Sequence, residues 1–341
     1  MKKEIFKSGI LSAFLFFCMT DVSVGNITPP LKISYTKNDI LIKLPLLFSD
    51  YDKLLGDHSD YIYPGSFDID NAKNIYIQYV YQPKNDKNIV VKYDKQGNYV
   101  GFFLIQNGGK GIAGEGIHVT SNNGKEVALV SAPNGELQYY DISNKYLDNT
   151  SPLLKSEKKE IYNQFSFSKS GLLVEKSDAK HSLSNPRNTL IFYPSKNNDR
   201  IEITQNIEFS GYITANAEAN AENFNKRQGL ALGDGFFVAS YGAFYFNKIP
   251  QTQNTYQGIR IFSMHGDLIN EKIFPPRVIM AFLHNNRMGV SRIENEGVSL
   301  SRDGKIIYSM YIYSDRKHPE VAKKEGIVIL QDYVNKLIKT P

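Results

Sequence analysis

Apolar and polar residues alternate along most of this chain, in short runs separated by small polar turns. Around several Asn-Gly and Asp-Gly pairs, one alternating run leads into the turn and a second run leaves it. This arrangement is typical of β-hairpins, because such turn residues reverse the chain between two half-buried strands. Five segments share the pattern: PGSFDIDNAKNIYIQYV (64–80), EGIHVTSNNGKEVALVS (115–131), QFSFSKSGLLVEK (164–176), QGLALGDGFFVAS (228–240) and EGVSLSRDGKIIYSMY (296–311).

A second hairpin with a different composition follows each of these segments, so that every repeat contains four strands. Five units of four strands are the sequence signature of an all-β, five-bladed β-propeller. A β-sandwich would not need five repeats of paired hairpins, and an irregular β-helix would have shorter, more even rungs. The second hairpins are NIVVKYDKQGNYVGFF (88–103), ELQYYDISNK (136–145), TLIFYPSKNNDRIEIT (189–204), GIRIFSMHGDLINEKIF (258–274) and GIVILQDYVNKLIK (326–339).

We expect a single propeller domain over residues 26–341. The β-rich segment 31–48 precedes the first blade and should supply an outer strand that closes the ring against the C-terminal strands, leaving few exposed edges. Two long inserts, 241–258 and 314–326, account for part of the uneven spacing and are candidate surfaces for a protein partner. The predicted blades cover about 60–105, 112–160, 161–210, 225–275 and 290–340.

Residues 1–25 have the three-part layout of a secretory signal peptide. Three lysines precede an apolar run of ten residues (10–19), and a polar stretch ending at Gly25 follows it. The alternative is a buried N-terminal helix. Cleavage near Gly25 would export the protein to the periplasm or beyond and would remove Cys18, the one cysteine of the chain. The mature chain would then have no disulfide, no thiolate zinc site and no membrane-spanning segment.

Composition narrows the candidate functions. The 341 residues include 22 Tyr and 20 Phe but no Trp, an excess of aromatic residues that favours β-structure. The formal net charge of +5 is spread along the chain without a lysine- or arginine-rich block, which argues against nucleic-acid binding. All arginines lie from Arg187 onward, which points weakly to an anionic ligand in the C-terminal half.

The blade sequences resemble teichoic-acid biosynthesis protein C-like five-bladed propellers, a group that includes the head of some phage receptor-binding proteins. The residues that carry the resemblance are PGSFDID…NIYIQYV, IVVKYDKQGNYVG, RQGLALGDGFFVASYG and NEGVSLSRDGKIIYSMY, within 60–335. This resemblance implies binding of a bacterial surface glycan. The fragment NEGVSLSRDGKIIY is also similar to gluconolactonase (senescence-marker) and NHL-type propellers.

The lactonase resemblance implies a calcium ion in the central channel. Glu115 and Glu296 stand at the matching position of two blades, whereas the Asn-Gly pairs typical of lactonases are missing there. His118 follows Glu115 by three residues, which puts the two side chains on opposite faces of a strand, so we expect a packed histidine and not a metal ligand.

The position just before each blade start supplies the candidate binding residues, because the innermost strand of a propeller blade lines the channel. Two carboxylates and two amides there could coordinate a hard cation, hydrogen-bond sugar hydroxyls, or cap strand ends and bind channel water. Tyr241 begins an aromatic insert suited to stacking on sugar rings or packing on its blade, and Arg292 could bind an anion or pair with a neighbouring glutamate. The ligand-binding set is therefore Glu115, Gln164, Gln228, Glu296, Tyr241 and Arg292.

The sequence favours an exported, non-catalytic propeller that binds a surface glycan or glycopolymer at the face of its channel. Two alternatives stay open. One is a calcium-dependent, gluconolactonase-like hydrolase that uses Glu115 and Glu296 in the same channel. The other is a protein-interaction scaffold that binds through its inserts.

Overall fold

Five β-sheets of four main strands each account for most of the regular structure in the computed structural model. Within each sheet the main strands are antiparallel, and in four of the sheets they follow the chain order. The predicted five-bladed β-propeller is confirmed. The structure describes residues 35–50, 53–54, 62–81, 87–106, 115–122, 124–132, 135–176, 189–197, 199–205, 227–242, 245–246, 257–274, 276–285, 292–314 and 326–338.

Each blade begins with the strand nearest the central channel, here called the inner strand. Blade one contains Ile62–Ile69, Ile75–Tyr81, Lys87–Tyr93 and Tyr99–Gln106, and blade two contains Ile117–Asn122, Lys125–Ala132, Glu136–Asp141 and Leu153–Lys158. Blade three contains Ile161–Ser168, Gly171–Lys176, Thr189–Pro194 and Ile201–Thr204, and blade four contains Arg227–Leu232, Phe236–Tyr241, Gln257–Ser263 and Leu268–Phe274. Blade five contains Arg292–Leu300, Ile306–Ser314, Gly326–Tyr333 and Ile40–Pro45.

The inner strands close into a ring. Each inner strand contacts the inner strand of the next blade, and that of blade five contacts that of blade one. Two short strands add to the sheets: Asn149–Thr150 lies parallel to the outer strand of blade one, and Tyr245–Phe246 pairs with the inner strand of blade five.

The hairpin turns explain why the repeat is visible in the sequence. Gly124, Gly235 and Gly304 stand in the first turn of blades two, four and five with φ of 77°, 78° and 71°. This left-handed conformation carries a steric cost for residues with a Cβ atom, which is why the turns contain Asn-Gly and Asp-Gly pairs. In blade one, Lys73 takes the same conformation with φ of 70°.

The N-terminal strand Ile40–Pro45 is the outer strand of blade five. It pairs antiparallel with Gly326–Tyr333, with Leu44 opposite Ile327 and Pro45 opposite Gly326. The predicted closure of the ring by the N-terminal segment is therefore confirmed. The two ends of the described chain are joined by the same sheet, so that blade five cannot form without both.

The hydrophobic core is divided among the interfaces between neighbouring blades. The largest cluster joins blades five and one and contains Leu44, Phe67, Tyr79 and Ile329. Corresponding clusters fill the spaces between blades one and two, two and three, three and four, and four and five. Each blade therefore depends on both of its neighbours to cover its apolar faces.

Two segments form helices that the sequence did not predict. Pro276–Asn285, between blades four and five, forms an α-helix whose Ile279 and Leu283 are buried one turn apart. Val334–Leu337 forms a short helix, where the sequence predicted a returning strand. That position in blade five is already occupied by Ile40–Pro45, so the chain end packs against the blade instead.

The predicted signal peptide lies outside the described residues. Within the described ranges, no helix is long and apolar enough to cross a membrane. Two short 3-10 helices are formed by Lys37–Asp39 and Asn144–Tyr146.

The closing strand provides a test of ring closure. Leu44 is 2% exposed and packs in the interface of blades five and one. We expect Leu44→Ala to lower the free energy of unfolding by about 2–5 kcal/mol, because it opens a cavity in that interface. Urea denaturation followed by circular dichroism measures the change. Leu41→Ala, on the same strand but 39% exposed, is the control and should change stability by less than about 0.5 kcal/mol. If both substitutions changed the free energy of unfolding by the same small amount, the closure of the ring by Ile40–Pro45 would be contradicted.

Candidate functional site

A funnel of about 1470 Å³ opens at the end of the channel where the inner strands finish. All five blades contribute to its wall. The wall combines apolar side chains with hydroxyl groups and charged side chains from the hairpin turns. Each inner strand contributes at least one apolar residue to the wall, among them Phe67, Ile117, Phe165, Leu230 and Val298.

Three polar side chains from three blades meet in this wall and are called the Asp68 cluster: Asp68, His118 and Arg302. Asp68 Oδ2 accepts hydrogen bonds from Arg302 Nη2 at 2.6 Å and from the Val119 backbone N–H at 2.7 Å. His118 Nδ1 lies 3.3 Å from the same oxygen and 3.2 Å from Arg302 Nη1. Asp68 Oδ1 accepts the Ser299 hydroxyl at 2.7 Å. One buried carboxylate therefore links blades one, two and five.

The cluster fixes the charge of its members. Burial alone would raise the pKa of Asp68, but the Arg302 guanidinium, His118 and the Val119 N–H together hold that pKa well below its usual range. Burial lowers the pKa of His118, against the opposing effect of Asp68. At neutral pH the cluster thus contains a carboxylate, a neutral imidazole and a guanidinium.

The same repeat position supplies the contacts between blades. When the blades are aligned by the bulges in their inner strands, Asp68 and Ser299 occupy equivalent positions, opposite Tyr76 and Tyr308. Asp68 accepts the Val119 N–H of the next blade. In blade three, Ser166 accepts the Leu232 N–H of the next blade at 2.8 Å in the same way. Side chains at this repeat position therefore hydrogen-bond to the neighbouring blade, and in blade one the side chain is the charged carboxylate of Asp68.

An aromatic ring lies beside the cluster. Phe167 is 38% exposed, and its ring centre is 5.6 Å from that of His118, with an angle of 48° between the ring planes. Phe167 also lines the funnel, as do the hydroxyl-bearing Ser168 and Ser170 from the adjacent turn. The funnel thus offers a large apolar face next to fixed hydrogen-bonding groups.

Four of the candidates predicted from sequence stand just before the funnel: Glu115, Gln228 and Glu296 lie two residues, and Gln164 one residue, ahead of the first funnel-lining residue of the inner strand. Gln164 Nε2 donates to Glu115 Oε2 at 3.3 Å, so these two are brought together. Gln228 Nε2 donates to Glu294 Oε1 at 3.2 Å. Glu296 is 5% exposed. Of the described residues that line the funnel, none belongs to this predicted set.

Strand bulges explain the positions of two of these residues. The pairing of the inner strand shifts between Arg227 and Gly229 in blade four, and between Asn295 and Gly297 in blade five. Gln228 and Glu296 are therefore the bulged residues, and a bulge re-aims its side chain. In blade one the equivalent residue is Gly65 and not Pro64, since the shift lies between Pro64 and Ser66.

A buried arginine, which the sequence analysis did not identify, organises this end of the channel. Arg227 is 1% exposed and lies 3.0 Å from the Glu175 carboxylate. Its Nε donates to Gln164 Oε1 at 3.0 Å, and its Nη1 donates to Gln205 Oε1 at 2.7 Å. Such a buried ion pair costs desolvation and is maintained by the surrounding hydrogen bonds.

The structure places Tyr241 at the end of one strand and Arg292 at the start of another. Tyr241 ends the second strand of blade four and is 3% exposed, with Gln205 donating to its hydroxyl at 3.1 Å. Burial raises the pKa of Tyr241. Arg292 starts the inner strand of blade five, with its backbone opposite Phe246 and Ser314. Most of the 241–258 and 314–326 inserts lies outside the described residues.

The calcium site stays a prediction. Within the described part of the chain, no three His, Cys, Asp or Glu side chains come together in an arrangement that could hold a metal ion. The predicted set at Glu115 and Glu296 contains two carboxylates, with amide oxygens as the further ligands, so that finding does not test it. The ligand-binding roles of Gln164, Gln228, Tyr241 and Arg292 likewise stay predictions.

No protein-family profile and no curated protein sequence matches this chain. Among solved structures, a tail fiber of a Staphylococcus aureus phage is similar at 11% identity and a TM-score of 0.43, covering 89% of this chain and 55% of that one. A luciferin-regenerating enzyme is similar at 11% identity and a TM-score of 0.37, covering 82% of this chain and 77% of that one. An arginine-substituted variant of AofleA from Arthrobotrys oligospora is similar at 9% identity and a TM-score of 0.38, covering 75% of this chain and 83% of that one. The chain spans about half of the tail fiber. At these scores the assignment of the fold rests on the strand pairings described above.

Removal of the buried charge tests the Asp68 cluster. We expect Asp68→Asn to lower the free energy of unfolding at pH 7 by about 3 kcal/mol, because it leaves Arg302 without its carboxylate. The pKa of Asp68 is lower in the folded state than in the unfolded state. The contribution of Asp68 to the free energy of unfolding is therefore present above pH 4 and is lost as the pH falls toward that lowered value. Urea denaturation at pH 7 and pH 3 should therefore show the difference from the wild type narrowing at pH 3. Asp267→Asn, in an exposed turn, is the control. A difference that stays constant or widens in acid would contradict this assignment.

Proposed function

We propose that this five-bladed propeller binds a glycan in the funnel at the far ends of its inner strands. The observation that carries the proposal is the wall where the exposed Phe167 ring lies beside the Asp68 cluster. Sugars present apolar C–H faces together with hydroxyl groups. A binding site for them therefore combines an exposed ring with hydrogen-bonding groups held in fixed positions.

The size of the funnel supports a ligand longer than one sugar. Pockets for drug-sized ligands enclose about 300–1,000 Å³. The funnel exceeds that range with about 1470 Å³ and is open to solvent at its mouth. An open funnel of this size can accept a segment of a polymer without enclosing its ends.

The position of the site supports ligand binding by a rigid surface. Asp68, His118 and Phe167 stand on inner strands, which the ring of blades holds in place. Sites on strands are positioned more accurately than sites on loops, and little conformational entropy is lost when such groups engage a ligand.

The funnel is preferred over the candidates predicted from sequence because those side chains are engaged with the protein. Glu115 is 9% and Glu296 5% exposed, and Gln164 bonds to both Glu115 and Arg227. A ligand would have to displace these contacts. Residues 1–25 and the resemblance of the blades to bacterial surface propellers further support an exported protein and a surface glycopolymer as the ligand.

A pair of aromatic substitutions on one strand tests the proposal. Phe167 and Tyr162 both lie on Ile161–Ser168 and both are 38% exposed, but only Phe167 of the two lines the funnel. We expect the wild type to bind members of a bacterial glycan array, and Phe167→Ala to weaken that binding about tenfold or more through loss of the stacking surface. Tyr162→Ala should bind as the wild type does. The proposal fails if no glycan binds, or if both variants bind equally.

A further inference from the structure

We infer that Arg302 forms a seat for an oxyanion, so that the glycan bound in the funnel carries a carboxylate or a phosphate group. This inference rests on the proposed function and specifies the ligand class at the same site. Arg302 follows the inner strand of blade five in the first hairpin turn and lines the funnel. It contacts residues that are more than 180 positions away in the sequence.

The guanidinium is held in place by the wall behind it. A guanidinium has five N–H donors. Both donors of Nη2 are engaged, one by Asp68 Oδ2 and one by the Val119 carbonyl, and Nη1 lies 3.2 Å from His118 Nδ1. The group therefore does not have to be ordered when a ligand arrives, which lowers the cost of binding.

Two donors of this guanidinium are left for a ligand. Within the described residues, no acceptor contacts Nε or the second N–H of Nη1, and the side chain is 25% exposed. Both N–H groups carry partial positive charge, and hydrogen bonds from them to an anionic oxygen are stronger than those to a neutral hydroxyl. The preference for an oxyanion thus follows from donors that the protein itself does not use.

The local donors, and not the overall charge of the funnel, determine this preference. Five carboxylates and three cations line the funnel, so its net field does not attract anions. Three of the carboxylates are engaged nearby: Asp70 accepts from Asn74, Glu126 from Lys92 and Asp303 from Ser301.

Two lysines place further positive charge on the wall of the same funnel. Lys169 and Lys196 are exposed at the funnel and make no ion pair within the ranges that the structure describes. Their flexible side chains can follow a second anionic group of a repeating polymer. This arrangement fits a chain with acidic groups at intervals better than a single charged sugar.

Titration calorimetry in 0.15 M NaCl tests the seat with three probes: a galacturonate trimer, a neutral galactose trimer and galactose 6-phosphate. We expect at least one acidic probe to bind about tenfold more tightly than the neutral trimer, the size of one charge-assisted hydrogen bond's advantage. Comparison of the galacturonate trimer with the phosphate sugar shows which oxyanion is preferred. Equal binding of acidic and neutral probes would overturn the seat but leave the proposed glycan binding intact. No binding of any probe, together with an empty glycan array, would instead defeat the proposed function.

A pair of substitutions in one turn localises the effect. Arg302→Gln should remove the preference for acidic probes, whereas Lys305→Gln should keep it. Lys305 carries the same charge three residues away, and its side chain is 78% exposed. If Arg302→Gln does not fold, Arg302→Lys keeps the charge beside Asp68 but has fewer donors, and it should lose most of the preference. A preference that survives in the folded Arg302 variant would overturn the inference.

Discussion

The pairing of Ile40–Pro45 with Gly326–Tyr333 is the interaction on which the rest of the structure depends. A propeller blade has apolar faces that only its neighbours can cover. An open ring would therefore leave one apolar face exposed to solvent on each of two blades. The N-terminal strand completes blade five and allows it to pack on blade one through the cluster around Leu44 and Phe67. The channel and both of its ends exist only because this strand closes the circle.

Buried polar side chains have different surroundings near the starts and near the ends of the inner strands. Near the strand starts, Arg227, Glu175 and Gln164 form a buried network whose groups bond mainly to one another. At the strand ends, Asp68 links three blades but leaves the outer side of Arg302 and the ring of Phe167 open to the funnel. Burial therefore makes the first end a structural junction. The second end combines the same joining role with a surface that a ligand can reach.

Alternation, turn residues and repeat spacing were sufficient to predict the five blades and the closing strand, because these depend on local pattern and on counting. The helices at Pro276–Asn285 and Val334–Leu337 were missed, since the first is a connection without a repeat and the second follows from the space already taken by Ile40–Pro45. The Asp68 cluster was missed because the bulge at Gly65 shifts blade one by one residue against blades four and five. A polar residue inside an alternating apolar run, aligned with Ser299, was the signal that could have identified Asp68. The reach of Arg302 to blades one and two depends on ring closure, which no local pattern encodes.

Hydrogen exchange measured by mass spectrometry, with and without a bound acidic oligosaccharide, tests most directly which end of the channel holds the ligand. Amide protection reports local opening and contact segment by segment. We expect slower exchange on ligand addition in the segments 166–170 and 299–304, which line the funnel. Slower exchange at 115–116, 227–229 and 294–297, with the funnel segments unchanged, would contradict this expectation and would place the ligand beside Glu115 and Glu296.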